Sequence, residues 1–527
     1  MIIQDESLGR IEVTTVPTPS DFKISDGTYT ASGRVLIGGR YESDPDEKDW
    51  YRIITLNDDG TDICSVFAGV IPQKRTANGV RWMCFTDNTR LLLGDYILEC
   101  TPDLDRCESS VLVPLEYPEE ILNVPGLFAH WSEIIISPDC EHMCWTTLQM
   151  TGSGCYLGKL VRGEESYHLE DVCMVSNTQS HLPDPDRPGY SIPQPSRGGE
   201  VKQFVHGGRA ISEAGAGNSL TDGLIQSLDS EEVTLVTDTP GYEETSMLSP
   251  DETLAVVMSP RFSDRSNCAV FGLIPHPHSM AILSMMNVAY MYAIAGVRAF
   301  RKGNIGPALI EVDKSMALGR DYKGVNLSDP EGKWVYASPI SWTPDSTKAM
   351  WNERTRPSEG EVKQRLQVAH LLDKAPAAPV PNAGTPASSE IPYAVPIGTP
   401  VTQPGYPIKV AGKYSGELVD TFTLEDGIST ATSTYTNFSD DGKSFTDGGF
   451  TVKTPVNMFV GGRTFYEGKM TIHGEHNGQM DLHAVFERAT AASPSMLIFE
   501  EGEDGLPMSR GYATYDGVTL RVEDMEP

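Results

Sequence analysis

His130 heads an isoleucine-rich run that stops at Ser-Pro-Asp, HWSEIIISPD at 130–139. Imidazole is the side chain whose ordinary pKa lies nearest neutrality, so a histidine at the edge of an apolar run is a candidate proton carrier. In the same register, nine residues ahead of a comparable aspartate, stand Asn78, Tyr242 and Tyr336, with Glu243 and Glu244 beside Tyr242. A carboxylate next to a histidine orients the ring, and a phenol can share the proton transfer. His130, Tyr242, Glu243, Glu244 and Tyr336 therefore form the candidate catalytic set. The bland alternative is that His130 bonds a neighbouring strand and the tyrosines pack a channel.

Further groups would contact a substrate rather than react with it. Asn78, Trp131 and His181 would line the pocket, as would His276 and His278 of IPHPHSM. Met285, Met286 and Tyr290 belong to the Met-rich stretch SMAILSMMNVAYMYAIAGVRAF at 279–300. That stretch is long enough to span a bilayer. Its serines, asparagine and tyrosines, and the strand-like sequence around it, predict a buried helix instead. His276 and His278 have the spacing of metal ligands on one strand face, but Pro277 between them reads as a turn. Near the C-terminus, a two-residue Asn477-Gly478 turn would pair position 473 with 482 and 472 with 483, pointing His473 and His483 apart. No metal site and no cofactor is expected.

These residues need a frame, and the chain repeats one. GTYTASGRVLI (27–37), VRWMCFTDNTRLLL (80–93), WSEIIISPDCEHMCW (131–145), EETSMLSPDETLAVV (243–257) and SPISWTPDSTKAMW (338–351) are each two β-type runs around a tight turn. VKQFVHGGRAIS (201–212) is a weaker copy turning at His206-Gly207-Gly208. Further strands follow most copies, giving four per unit, which is the signature of a β-propeller blade. The repeat resembles the TolB-type propeller family over about residues 20–372. The glycine usual after the aspartate is replaced by Asn88, Cys140, Glu252 and Ser346. Some propellers of this resemblance are polysaccharide lyases with a histidine-held metal, a pattern not matched here residue by residue.

Spacing of the turns predicts six blades, with seven as the alternative. Two gaps are long because they hold a proline-rich loop (176–199) and the Met-rich helical insertion. The insertion is placed between TLAVVMSP (253–260) and PALIEVDKS (307–315). RIEVTTVP (10–17) would supply the missing strand of the last blade and so remove an exposed edge. Both long excursions would then leave one face of the ring and wall a shared chamber. The all-β reading is a propeller at 1–373, a Pro-rich linker at 374–407, and an antiparallel β-sandwich or small barrel at 408–527.

The bulk composition bounds the partners. A formal net charge of −32 over 527 residues repels phosphate backbones and anionic lipid, which argues against nucleic acid and membrane surfaces. Nine cysteines without a CxxC pair, and no basic and apolar leader in MIIQDESLGR, predict a reducing cytoplasm. There is no G-x-S-x-G elbow, so hydrolysis through a covalent serine is not expected. The sequence favours an enzyme acting on a small, largely apolar molecule by lyase, isomerase or cyclase chemistry at the propeller mouth. Two other readings stand beside it: a scaffold for a protein partner or a homo-oligomer, and a saccharide-active propeller with an accessory binding domain.

Overall fold

The computed structural model describes residues 1–527 apart from 73–81, 123–125, 129–132, 150–151, 196, 217–218, 240–242, 244, 263–272, 275–304, 357–359, 403–404, 456–461, 489–495 and 526–527. The turns explain why hairpins recur. Asp87, Asp139, Asp251 and Asp345 each accept, through Oδ1, the N–H two residues on, at 2.8, 2.9, 3.3 and 3.1 Å. A short acidic side chain thus satisfies the turn backbone. The next residues, Asn88, Cys140, Glu252 and Ser346, have φ of 60, 62, 57 and 61°. This is the left-handed region that favours glycine. The glycine missing from the repeat is missing where the backbone still calls for one.

Three of the replacement side chains bond the turn of a neighbouring sheet. Cys140 Sγ lies 3.0 Å from Thr86 Oγ1, Glu252 Oε1 accepts the His206 N–H at 2.5 Å, and Ser346 Oγ accepts the Asp251 N–H at 3.1 Å. Each trades local backbone comfort for a link between sheets.

Among the described residues the first 371 positions form six antiparallel meanders. Their inner strands are Phe22–Tyr29, Trp82–Cys84, Ile134–Ile136, Glu200–Val205, Thr245–Leu248 and Trp334–Trp342, which number sheets 1 to 6. Sheets 2 and 3 also touch through a two-residue parallel bridge at Leu115–Tyr167 and Glu116–His168. Sheet 6 ends as expected: Gly9–Thr15 pairs with Gln364–Leu371, and Ile2–Asp5 adds an outer strand. In sheet 5, Leu254–Ser259 pairs directly with Gly306–Glu311, so the long segment between them joins two neighbouring strands of one sheet. The proline-rich loop contains a hairpin, His181–Pro183 with Ser191–Pro193.

Apolar side chains join every sheet to the next. Leu36 of sheet 1 packs with Leu91 of sheet 2, Leu92 with Ile136 of sheet 3, and Ile135 with Val201 of sheet 4. Ile225 packs with Ile310 of sheet 5, Val256 with Trp351 of sheet 6, and Val368 with Val35, back in sheet 1. Each such fully buried side chain is worth about 1.5–3 kcal/mol, so every junction adds to the cohesion of the whole.

Residues from 408 on form one nearly closed sheet of eight strands in chain order, with a short ninth, Met496–Leu497, on Gly478–Arg488. Strict alternation buries Thr464, Tyr466, Gly468, Met470 and Ile472 along Gly462–Gly474. The expected register of the next hairpin is corrected here. Ile472 pairs with Gly478 and Met470 with Met480, around a longer loop at 473–477. Asp516 draws that loop in, taking the Asn477 N–H at 2.8 Å and His476 Nδ1 at 2.6 Å. The shift places His473 and His483 on the same exposed face, not on opposite ones. His473 stacks on Phe445, whereas His483 aligns with Glu467, roughly 20 Å further along the strand at the usual rise per residue. They still do not converge. Described contacts between this sheet and the rest include Tyr190, which donates to Glu417 Oε2 at 2.8 Å, Arg320, which bonds the Tyr515 hydroxyl, and Leu273, whose Cδ2 would sit 3.1 Å from a Cβ on Gly478.

Candidate functional site

Of the residues singled out from sequence, Asn78, His130, Trp131, Tyr242, Glu244, His276, His278, Met285, Met286 and Tyr290 lie outside the described residues. Glu243, Tyr336 and His181 lie inside them. Glu243 is fully buried just before the inner strand of sheet 5. Its Oε1 accepts from Thr239 Oγ1 and Ser259 Oγ at 2.5 Å each, and from Arg261 Nη2 at 2.6 Å. Arg261 also reaches the carbonyls of Tyr322 and Lys323 at 3.4 and 3.3 Å. Behind this pair, Asp222 accepts from Thr237 Oγ1 at 3.4 Å and the Thr239 N–H at 3.3 Å. Glu243, one of the two carboxylates expected beside His130, is thus bound to a guanidinium.

Tyr336 lies within a strand, in the core between sheets 5 and 6, with Glu353 as its cross-strand neighbour. The strand begins two residues before it, so Tyr336 is a strand residue and does not stand just ahead of the strand, as its register with His130 implies. His181 is buried in the hairpin, and its Nδ1 lies 3.0 Å from Ser180 Oγ. Burial pushes its pKa down to about 4, which keeps the ring neutral around pH 7.

Sequence reasoning missed a charged group beside these. Lys202, on the inner strand of sheet 4, is only 4% exposed. Its Nζ donates to Glu133 Oε2 at 2.7 Å and to Glu200 Oε2 at 3.1 Å. Burial alone would lower the ammonium pKa, but the two carboxylates outweigh it and hold the value above that of a free lysine. Glu133 and Glu200 keep 24% and 25% of their side-chain surface exposed. Glu133 stands immediately before the inner strand of sheet 3, so the group bridges two sheets at the end where their inner strands begin. Glu243 stands at the corresponding place in sheet 5. A lysine inside the strand-like VKQF was the available signal, because a strand core rarely keeps an unpaired ammonium.

A second missed group lies deeper. Glu213 in sheet 4 accepts the N–H groups of Gly199 at 2.6 Å and Gly198 at 3.1 Å. Burial raises its pKa to about 7, and those two N–H groups oppose the rise. Among the described residues no cluster of three or more His, Cys, Asp or Glu could hold a metal ion, and no helix is long and apolar enough to cross a membrane.

No family model and no curated protein matches the chain. Solved structures similar to it include TolB from Acinetobacter baumannii, at 9% identity over 68% of this chain and 66% of that one, with a TM-score of 0.28. An oligogalacturonate lyase in complex with manganese gives 13% over 71% and 96%, with a TM-score of 0.35. Prolyl oligopeptidase B from Galerina marginata gives 9% over 79% and 47%, with a TM-score of 0.28. At these values the likenesses carry no conclusion about activity.

Proposed function

We propose that the six sheets are the blades of one closed β-propeller of TolB type. At the end where its inner strands begin, the chain acts as an enzyme on a small organic molecule by acid–base chemistry. One observation carries this reading: a buried lysine shared by two partly exposed glutamates across two sheets. Burying an ammonium costs several kcal/mol that well-packed apolar side chains would not, so such a group is poor value as mere fold cement. At a mouth it can serve chemistry. Glu133 would exchange the proton, and Lys202 would offer positive charge to a developing anion.

The 176–199 loop enters sheet 4 at this same end, strands Leu254–Ser259 and Gly306–Glu311 meet their connection there, and the described residues Tyr190 and Leu273 lie against the C-terminal sheet. The Met-rich composition of 279–300 favours an apolar substrate. Eight described cysteines are free, in keeping with a reducing compartment.

The test is turnover in a fractionated metabolite extract followed by mass spectrometry. The wild-type chain should deplete at least one compound, and Glu133→Gln should slow that depletion roughly 100-fold or more. Equal depletion by both proteins would refute the assignment. A second reading, an interaction scaffold, is favoured by exposed Leu424, Ile428 and Phe465 on the C-terminal sheet. It predicts no depletion by either protein.

A further inference from the structure

The proline-rich segment after residue 373 reads from sequence as a spacer, yet it is hydrogen-bonded at nearly regular intervals, first by a side chain and then by backbone N–H groups, to the sheets it passes. Lys374 Nζ donates to Asp251 Oδ2 at 2.7 Å, in the turn of sheet 5. The Ala377 N–H donates to the Asp345 carbonyl at 3.0 Å, in the turn of sheet 6. The Val380 N–H reaches the Pro250 carbonyl at 2.8 Å, and the Ala383 N–H reaches the Gly207 carbonyl of sheet 4 at 2.9 Å. The Thr385 N–H reaches Asp139 Oδ2 of sheet 3 at 3.0 Å. Four successive turns are thus crossed at the end opposite the proposed site.

The chain then climbs the edge of sheet 3. The Ser388 N–H donates to Asp171 Oδ2 at 2.9 Å, Val395–Pro396 pairs with Cys173 and Met174, and the Thr402 N–H meets the Thr178 carbonyl at 2.8 Å. Of the two turns lacking an aspartate, the one in sheet 4 is explained by this path. Gly207 has φ +66°, and a Cβ there would lie 2.2 Å from the Pro381 carbonyl oxygen. A side chain would collide with the passing segment. Proline suits such a path, because it keeps the chain extended and leaves fewer N–H groups to satisfy.

We infer that residues 374–402 are a strap that clamps the turns of sheets 6, 5, 4 and 3 together. The strap occupies that end with the protein's own chain and leaves the opposite end for a ligand. Among the described residues none of its hydrogen bonds reaches the turns at 30–34 or 85–90, in sheets 1 and 2. Those two turns are an internal control.

The experiment is hydrogen exchange on the full chain, comparing wild type with a variant whose residues 374–387 are replaced by an equal length of Gly-Ser sequence. A second variant, Val380→Pro with Ala383→Pro, deletes two donor N–H groups and carries the comparison if the first does not fold. Exchange at the turns 249–254 and 205–210 should rise roughly tenfold, the effect of losing one or two backbone hydrogen bonds, while 30–34 and 85–90 stay unchanged. Equal change at all turns, or none at any, overturns the strap. Neither outcome depends on whether the opposite end is catalytic.

Discussion

The ring of sheets and the C-terminal sheet solve the burial problem differently. Strands of the C-terminal sheet run to 13 residues, neighbours in sequence are neighbours in space, and its buried polar groups are mostly hydroxyls, with Asp420 as the buried charge among the described residues. The ring uses mostly shorter strands and buries Lys202, Glu213, Asp222, Glu243 and Arg261 in sheets 4 and 5, with Asp95, Arg197, Glu353 and Arg356 buried elsewhere. A fold driven by packing alone avoids such charges, because desolvation outweighs the attraction unless the geometry is very good. Where local rules are broken without need, function is the usual reason. The contrast points to the ring as the working part and to the C-terminal sheet as a body held by its core.

The largest effect should come from halving the buried pair. Glu243→Leu or Arg261→Leu alone strands a charge and should cost about 3–5 kcal/mol in urea denaturation. The double variant should cost less than either single one. If the double variant costs as much as the two single ones added together, the two residues do not act as a pair. In the C-terminal sheet, Leu482→Ala removes a fully buried side chain and should cost about 2–5 kcal/mol without touching turnover. Lost turnover there would erase the division of labour.

pH should separate the two regions further. The folded pKa of Glu213, about 7, lies above its ordinary value of 4.5. Its contribution is therefore complete below about pH 4.5 and is lost as pH rises through 7. About 2.5 pH units at 1.36 kcal/mol each amount to about 3 kcal/mol. Glu213→Gln should remove that slope from the melting temperature and leave the variant more stable than wild type at pH 8. An unchanged slope would place the titrating group elsewhere. The smallest effect is expected at Ser346→Gly. Relief of its left-handed backbone and loss of the bond from Asp251 oppose each other, leaving a net change within about 1 kcal/mol by thermal melting.

Legibility in the sequence followed locality. The turn aspartates could be read because their side chains act within two residues, and the closing strand Gly9–Thr15 because its alternation and the three-strand last unit matched. The long connection between two strands of sheet 5 followed from turn spacing. The 472–478 hairpin was misread because Asp516, about forty residues away, sets its loop. The buried state of Lys202 was hidden for the same reason, since Glu133 comes from another sheet. The strap was hidden because proline-rich composition speaks of extension and not of what the extended chain lies against.

Lys202→Met gives the most direct measurement, with turnover and melting temperature taken on the same sample. Methionine fills the stem and removes the charge, and water can reach the two partly exposed glutamates it leaves behind. If the lysine is there for chemistry, turnover falls at least roughly 100-fold while the melting temperature moves by no more than a few degrees. A clear loss of stability with turnover intact would show that the lysine only braces the fold.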